Sequence, residues 1–350
     1  MNKKKLIMVD FWSIADENGK PIGHGGKVGN EYYKYVKEAY FVKHYVNQSM
    51  LSHIENPNAV AFSKSLVLGV SKVQRILSNF ASLREVYKSE KDATIWFYVP
   101  DIYLFLFILL SRKGQRRIAV NVYEGYITSG VKHRIFKAAL RKVDVVFVTN
   151  KKLLEDIPRG ILVPDYAYDE DFYLRFECNE KKEQAVCLGT MNEKKKLKDA
   201  VEAFSQNGYP LYIIGQFSSK EIFKELCAIK RDNIVVENRY VDSDEYYRLL
   251  AESKYCLIPY DAQFYKNRTS GVVQECLFCD AVPISHKEIL QFANVKGYGY
   301  ENIRDLAKAS LEVFDATEVR RSFQEERDRF YRYDVIRDKV VRALETPDIG

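Results

Sequence analysis

YKNRTSGVVQECLFCDAVPIS, Tyr265 to Ser285, joins a polar loop, a small-residue helix start, one acid and a buried strand. Thr269-Ser270-Gly271 lets backbone N–H groups at a helix N-terminus approach an anion, and that helix end carries a positive partial charge suited to a diphosphate. Glu275 lies four residues past Gly271, on the first turns of the helix. A carboxylate there can accept hydrogen bonds from a ribose diol. Ala281-Val282-Pro283-Ile284 then supplies a short apolar strand. The stretch reads as a nucleotide-sugar site; a plainer reading is a Rossmann-like helix carrying a solvated Glu.

Outward from this segment, strands and helices alternate along the chain. Leu6 to Val9 is a short apolar strand, followed by the glycine-rich loop Gly23-His24-Gly25-Gly26-Lys27-Val28-Gly29 and a helical stretch from Glu31 to about His44. The loop is neither a Walker A motif nor G-x-G-x-x-G, and its glycines suit close backbone approach to a phosphate or sugar. Ile95 to Val99, Ile118 to Val122, Val145 to Thr149 and Ile161 to Val163 read as strands. The wholly apolar helix Tyr103 to Leu110 fits a core α/β layer better than a membrane surface. Ala185 to Leu188, Leu211 to Ile214, Ile234 to Val236 and Tyr255 to Pro259 repeat the pattern, and Glu318 to Leu344 is a charged helical tract. Such alternation predicts two parallel-sheet α/β domains with a ligand at the carboxyl ends of the strands. The expected boundaries are 1–164, a hinge at 165–184, a second domain at 185–325 and a helical tail at 326–350.

Length and charge fit this plan. A chain of 350 residues exceeds what one core usually organises, and its 47% apolar content is that of a globular protein. No apolar run reaches the length of a spanning helix and no charged-apolar-small leader opens the chain, so neither secretion nor membrane insertion is expected. The six cysteines, Cys178, Cys187, Cys227, Cys256, Cys276 and Cys279, sit mostly among apolar neighbours, as reduced thiols do. Cys276 and Cys279 form a lone C-x-x-C with neither a second pair nor a nearby His, which argues against zinc. Residues 1 to 164 hold 26 Lys/Arg against 14 Asp/Glu, and the remainder 28 against 34. The basic half favours an anionic partner, either an acidic membrane surface or a phosphorylated acceptor. Nucleic acid is disfavoured, since no nucleic-acid-binding motif accompanies the charge.

Together these pieces resemble the GT-B glycosyltransferases, especially the retaining family 4 / group 1 enzymes of bacterial polysaccharide synthesis. Gly25-Gly26 resembles the family's early Gly-Gly loop. Val163-Pro164-Asp165-Tyr166-Ala167-Tyr168-Asp169, with Phe172 behind it, resembles its short strand followed by Pro-Asn-Gly-Val-Asp. Gly189 with Lys194 to Lys196 is similar to its Gly-Arg turn and Glu-Lys pair. The chain also departs from the pattern. The second acid of the Glu-x7-Glu motif falls on Glu275 but the first on Asn267, the first diphosphate Arg falls on Thr190, and Tyr123 or Glu124 stands in place of the catalytic-face His.

The resemblance implies an α/β fold of two Rossmann-like domains facing each other across a cleft, with the C-terminal helix crossing back to the N-terminal domain. It implies a hexosyltransferase of the cytoplasm or of the inner face of the cell membrane, moving a sugar from a UDP-sugar to a glycan or a lipid-diphosphate-linked acceptor. The expected donor contacts are Gly25, Gly26, Gly189, Thr190, Lys194, Lys196, Tyr240, Thr269, Ser270, Gly271 and Glu275. Lys195 and Arg268 are expected to neutralise the leaving group, with Glu124 as acid/base. Asp242-Ser243-Asp244 resembles a metal motif but has the form of a helix cap, so no metal or other cofactor is expected. Two alternatives remain: a sugar-phosphate epimerase or synthase on the same fold that releases a free nucleotide, and a non-catalytic subunit that binds a partner enzyme.

Overall fold

The computed structural model describes residues 3–22, 25–123, 130–178, 180–265 and 270–346. It divides into two compact units, the first formed by residues 1–167 and 333–350 and the second by residues 168–332.

The first unit is built on β1 (Lys4–Asp10), a hairpin of β2 (Ile14–Ala15) and β3 (Pro21–Ile22), then β4 (Tyr40–Val46), β5 (Ala59–Ala61), β6 (Thr94–Phe97), β7 (Arg117–Val122), β8 (Val145–Val148) and β9 (Ile161–Leu162). Among the described residues, seven of these make one parallel sheet in the order β5-β4-β1-β6-β7-β8-β9. Leu6, Ile7, Met8 and Val9 are all fully buried, because a parallel sheet is covered on both faces. The apolar helix Ile102–Leu110 is a layer of this core. Phe105 meets Phe136 edge-on at 4.9 Å and Phe107 meets Tyr87 at 4.8 Å. The helix Tyr333–Glu345 returns to this unit and buries Ile336, Val340 and Leu344 at four-residue spacing. It packs on the helix Gly25–Val36, where the Tyr333 ring lies tilted against Tyr35 at 5.6 Å and its hydroxyl donates to the Lys34 carbonyl. The returning C-terminal helix is thus present as expected.

One expectation is corrected. The helix after the glycine loop ends at Val36, and Tyr40–Val46, YFVKHYV, is strand β4 rather than a helical continuation to His44. Its Tyr, Val, His, Tyr and Val side chains fit a pleated, largely buried surface better than a helix face.

The second unit carries β10 (Lys182–Leu188), β11 (Leu211–Gly215), β12 (Ile234–Asn238), β13 (Ser253–Ile258), β14 (Val282–His286) and β15 (Tyr298–Tyr300). Among the described residues they form a parallel sheet ordered β12-β11-β10-β13-β14-β15. The order reverses direction between β10 and β13. In doubly wound sheets such a switch point leaves a crevice at the carboxyl ends of the strands, where ligands bind.

Candidate functional site

In the second unit the loops after β10 and β13 close over this switch point. Gly189, at φ +93°, turns the chain out of β10. A Cβ on Gly215, at the end of β11, would overlap the Gly189 carbonyl oxygen, so the two backbones meet there only because residue 215 has no side chain. Lys195 bridges in antiparallel fashion to Tyr260. The Lys196 N–H donates to the Pro259 carbonyl at 2.7 Å, and the Asp261 N–H to the Lys194 carbonyl at 3.1 Å. These bonds stitch the lysine run to the loop that leads into the helix Gly271–Phe278.

Lys195 is the unusual member. It is 9% exposed, and its ammonium donates to the Leu188 carbonyl at 3.3 Å, with Met191 Sδ at 3.9 Å and the Tyr260 ring centroid at 5.5 Å. Among the described residues no carboxylate pairs with it. Burial pushes its pKa down, since the charged form loses water without gaining a counter-ion. Lys194 is exposed, and Lys196 lies 3.6 Å from Asp261. Ser270 is the N-cap of the helix Gly271–Phe278, whose first turn holds no acid, and its side chain hydrogen-bonds Tyr260. A buried cation with no counter-ion among the described residues, linked through Tyr260 to the residue that caps a helix N-terminus, is a place for an anion.

Glu275 is also 9% exposed on that helix. Its Oε2 accepts the Tyr246 hydroxyl at 2.7 Å and its Oε1 the Tyr247 hydroxyl at 3.3 Å, both from the helix Ser243–Glu252. That helix is fixed in turn. Asp242 caps it, accepting the Glu245 N–H at 2.8 Å, and Tyr247 meets Phe172 and Tyr173 edge-on at 5.3 Å each. Tyr173 continues to Phe278 at 5.1 Å, so aromatic packing ties the two helices together. The carboxylate is therefore held in one orientation.

Of the expected site residues, the second unit brings Gly189, Thr190, Lys194, Lys195, Lys196, Ser270, Gly271 and Glu275 to loops and a helix at one end of the sheet. Tyr240 follows β12 and is 65% exposed. Gly25 and Gly26 belong to the first unit. Glu124, Arg268 and Thr269 lie outside the described residues, as do Asn267 and the Gly23-His24 start of the glycine loop. Sequence reasoning missed Tyr246, Tyr247, Tyr260 and Gly215. The adjacent tyrosines were visible in the helix Ser243–Glu252, but nothing local says that both point at an acid 28 or 29 residues away.

The first unit gathers a second polar group at the carboxyl ends of its own strands. Asp10 Oδ1 accepts the Trp12 and Ser13 N–H groups at 2.9 Å each, and burial raises its pKa. A Cβ on Gly25 would overlap Ser13 Oγ and stand 2.8 Å from Asp10 Oδ2, so this glycine admits the helix start against the Asp10 turn. Tyr98 lies 2.8 Å from His44 Nε2, and burial lowers the His44 pKa to about 3. Asn121 joins Trp96 Nε1, at 2.7 Å, to the Tyr32 hydroxyl, also at 2.7 Å. Tyr32 then donates to Asp165 Oδ1 at 3.3 Å, and Tyr123 hydrogen-bonds the same acid. Burial raises the Asp165 pKa to about 6. Tyr123, one of the two residues expected in place of the catalytic-face His, thus belongs to a hydroxyl and carboxylate network.

No protein-family model and no curated protein matches this sequence. Solved structures do match across the whole chain. A glycosyltransferase from Rickettsia africae is 13% identical, with 99% of this chain and 98% of that chain covered at a TM-score of 0.69. Anabaena HepE, solved in complex with UDP and glucose, is 11% identical, with coverage of 97% and 99% and a TM-score of 0.66. A putative UDP-N-acetylglucosamine 2-epimerase from Listeria monocytogenes is 10% identical, with coverage of 98% and 96% and a TM-score of 0.63. At such identities the likeness is one of fold, and that fold is GT-B.

Proposed function

We propose that this chain is a glycosyltransferase that takes a hexose from a nucleoside diphosphate, most simply UDP, and passes it to an acceptor hydroxyl. The observation that carries this reading is Lys195, a buried cation with no carboxylate partner among the described residues, linked through Tyr260 to the helix cap Ser270. A diphosphate supplies the missing negative charge. The Gly271–Phe278 helix start and Lys196 would share its oxygens, and Glu275, oriented by Tyr246 and Tyr247, would take the ribose diol. The acceptor oxygen forms a bond to the anomeric carbon while the bond from that carbon to the diphosphate oxygen breaks. Negative charge grows on the diphosphate, where Lys195, Lys196 and the helix dipole stabilise it without a divalent ion.

By resemblance, Arg268 adds a further cation, Thr269 a backbone donor and Glu124 the acid/base, with retention of anomeric configuration. The acceptor would be a glycan or a lipid-diphosphate-linked glycan of the kind used in bacterial surface polysaccharides. The HepE complex with UDP and glucose supports the donor class, and the Listeria epimerase match supports a second reading in which the donor sugar is epimerised and released.

Incubation with UDP-hexoses, with and without glycan acceptors, separates these. Acceptor-dependent UDP release with sugar on the acceptor is expected. UDP release with a free altered sugar would favour the epimerase, and binding with an intact donor would leave a non-catalytic subunit.

A further inference from the structure

We propose that one face of the first unit, made by the turn Val67-Leu68, the first two turns of the helix Lys72–Ser89 and the neighbouring Trp12, docks reversibly on an anionic lipid bilayer. The inference rests on the transferase reading for its purpose, since an acceptor carried on lipid would be presented at that surface.

Val67, Leu68, Val73 and Leu77 are 58%, 44%, 66% and 65% exposed. Val73 and Leu77, four residues apart, share one side of the helix. Trp12 is exposed nearby, with the Arg75 guanidinium 5.2 Å from its ring. Apolar side chains on soluble surfaces usually occur singly, whereas these five fall on one turn, one helix start and the loop beside it.

The charge of the same stretch names the partner. Residues 56 to 84 contain no Asp or Glu and carry Lys64, Lys72, Arg75 and Arg84. Beyond Leu77 the helix face that begins apolar continues with exposed Arg84 and Lys88, seven and eleven residues on. Apolar tips with flanking cations suit the boundary between acyl chains and acidic headgroups, where long basic side chains reach outward to phosphates. The patch is also held in shape. Ser71 caps the helix in a reciprocal box with Gln74, the Ser78 hydroxyl donates to the Lys64 carbonyl at 3.0 Å, and the Leu66 N–H donates to Asn47 Oδ1 at 2.7 Å.

The other basic cluster, Arg112 to Arg117, is less available. Arg116 donates to the carbonyls of Glu90, Lys113 and Tyr87, Arg117 donates to the Ala343 carbonyl, and Lys113 pairs with Asp144. Those cations serve the fold. Trp12 follows β1 and Val67-Leu68 follow β5, so the apolar face lies at the carboxyl ends of the strands, the ligand end of such a sheet.

The chain's two tryptophans, Trp12 and Trp96, provide the readout, because Trp96 is fully buried and a lipid-induced blue shift reports Trp12. Vesicles of phosphatidylcholine alone are compared with vesicles that are about one third phosphatidylglycerol. Cosedimentation and a blue shift are expected with the anionic vesicles and little of either with the neutral ones. Val67→Ser, Leu68→Ser, Val73→Ser and Leu77→Ser combined should cut the bound fraction at least about tenfold, with unchanged far-UV dichroism and UDP affinity. Arg84→Glu with Lys88→Glu should remove the preference for anionic lipid. Absence of the blue shift, equal binding to both vesicles, or undiminished binding of the serine variant overturns the proposal. So does a lipid-independent dimer that the serine variant dissolves, since a second copy would then cover the face. Lipid docking without any nucleotide binding would count against the transferase reading and leave the docking standing.

Discussion

The Tyr246 hydroxyl donates to Glu275 Oε2 across 2.7 Å, while Tyr247, the next residue, reaches Oε1 at 3.3 Å. Two neighbouring phenols thus fix the plane of one carboxylate. Glu275→Gln keeps the size but exchanges one acceptor oxygen for a donor. Nucleotide affinity should fall by roughly 1.5 to 3 kcal/mol in calorimetry. Tyr246→Phe should cost less, about 1 kcal/mol, because the carboxylate survives. An unchanged affinity in Glu275→Gln would remove the ribose assignment.

Lys195→Met separates a ligand-binding lysine from a structural one, because the two roles predict opposite balances. A buried ammonium without a carboxylate partner destabilises the empty protein, so an apolar stem of similar length should leave stability unchanged or raise it by about 1 kcal/mol. UDP affinity should fall by about 2 kcal/mol or more. Loss of stability in urea with full UDP affinity would make the lysine a part of the fold alone.

Gly29→Ala tests the packing of the first unit. Helix propensity alone favours Ala over Gly by about 1 kcal/mol. Here the added Cβ would lie 2.8 Å from Tyr98 Cζ, and the fully buried Tyr98 ring is held by His44 at its hydroxyl. The clash should win, giving a net destabilisation of roughly 1 to 3 kcal/mol in denaturant titration. A more stable variant would show that the ring moves aside freely.

What the sequence made legible was the periodic part. Buried runs such as Leu6 to Val9 and Tyr255 to Ile258 announced parallel strands, and the small-residue start before Glu275 announced a helix suited to an anion. Tyr40–Val46 was misread because a helix and a strand lie three residues apart there, and its polar Lys43 and His44 blur the alternation. The partners of Glu275 and the close approach of Gly215 to Gly189 were hidden for another reason. They are long-range contacts set by sheet order: Gly189 and Gly215 end the neighbouring strands β10 and β11, and the helices carrying the two tyrosines and Glu275 precede and follow β13.

Asp165→Asn carries a pH signature. Burial raises the Asp165 pKa to about 6, above its ordinary 3.8, so the folded protein holds this proton more tightly than the unfolded chain. Its contribution is fully present below about pH 4 and is lost as pH rises through about 6. An amide does not titrate. Between pH 4.5 and 7 the variant should gain on the wild type by roughly 2 kcal/mol in urea unfolding, since other titrating groups such as Asp10 cancel in the comparison. Parallel stability curves would mean that Asp165 is solvated and ordinary.

The central claim, that the crevice between β10 and β13 holds a nucleoside diphosphate against Lys195, is tested most directly by calorimetric titration of uridine, UMP and UDP in EDTA. UDP should bind more tightly than UMP, Lys195→Met should narrow that gap, and UDP at about 100 times its dissociation constant should stabilise the protein by roughly 2.7 kcal/mol. Equal affinity for UMP and UDP, or no binding of UDP, GDP, dTDP or ADP, would contradict the account.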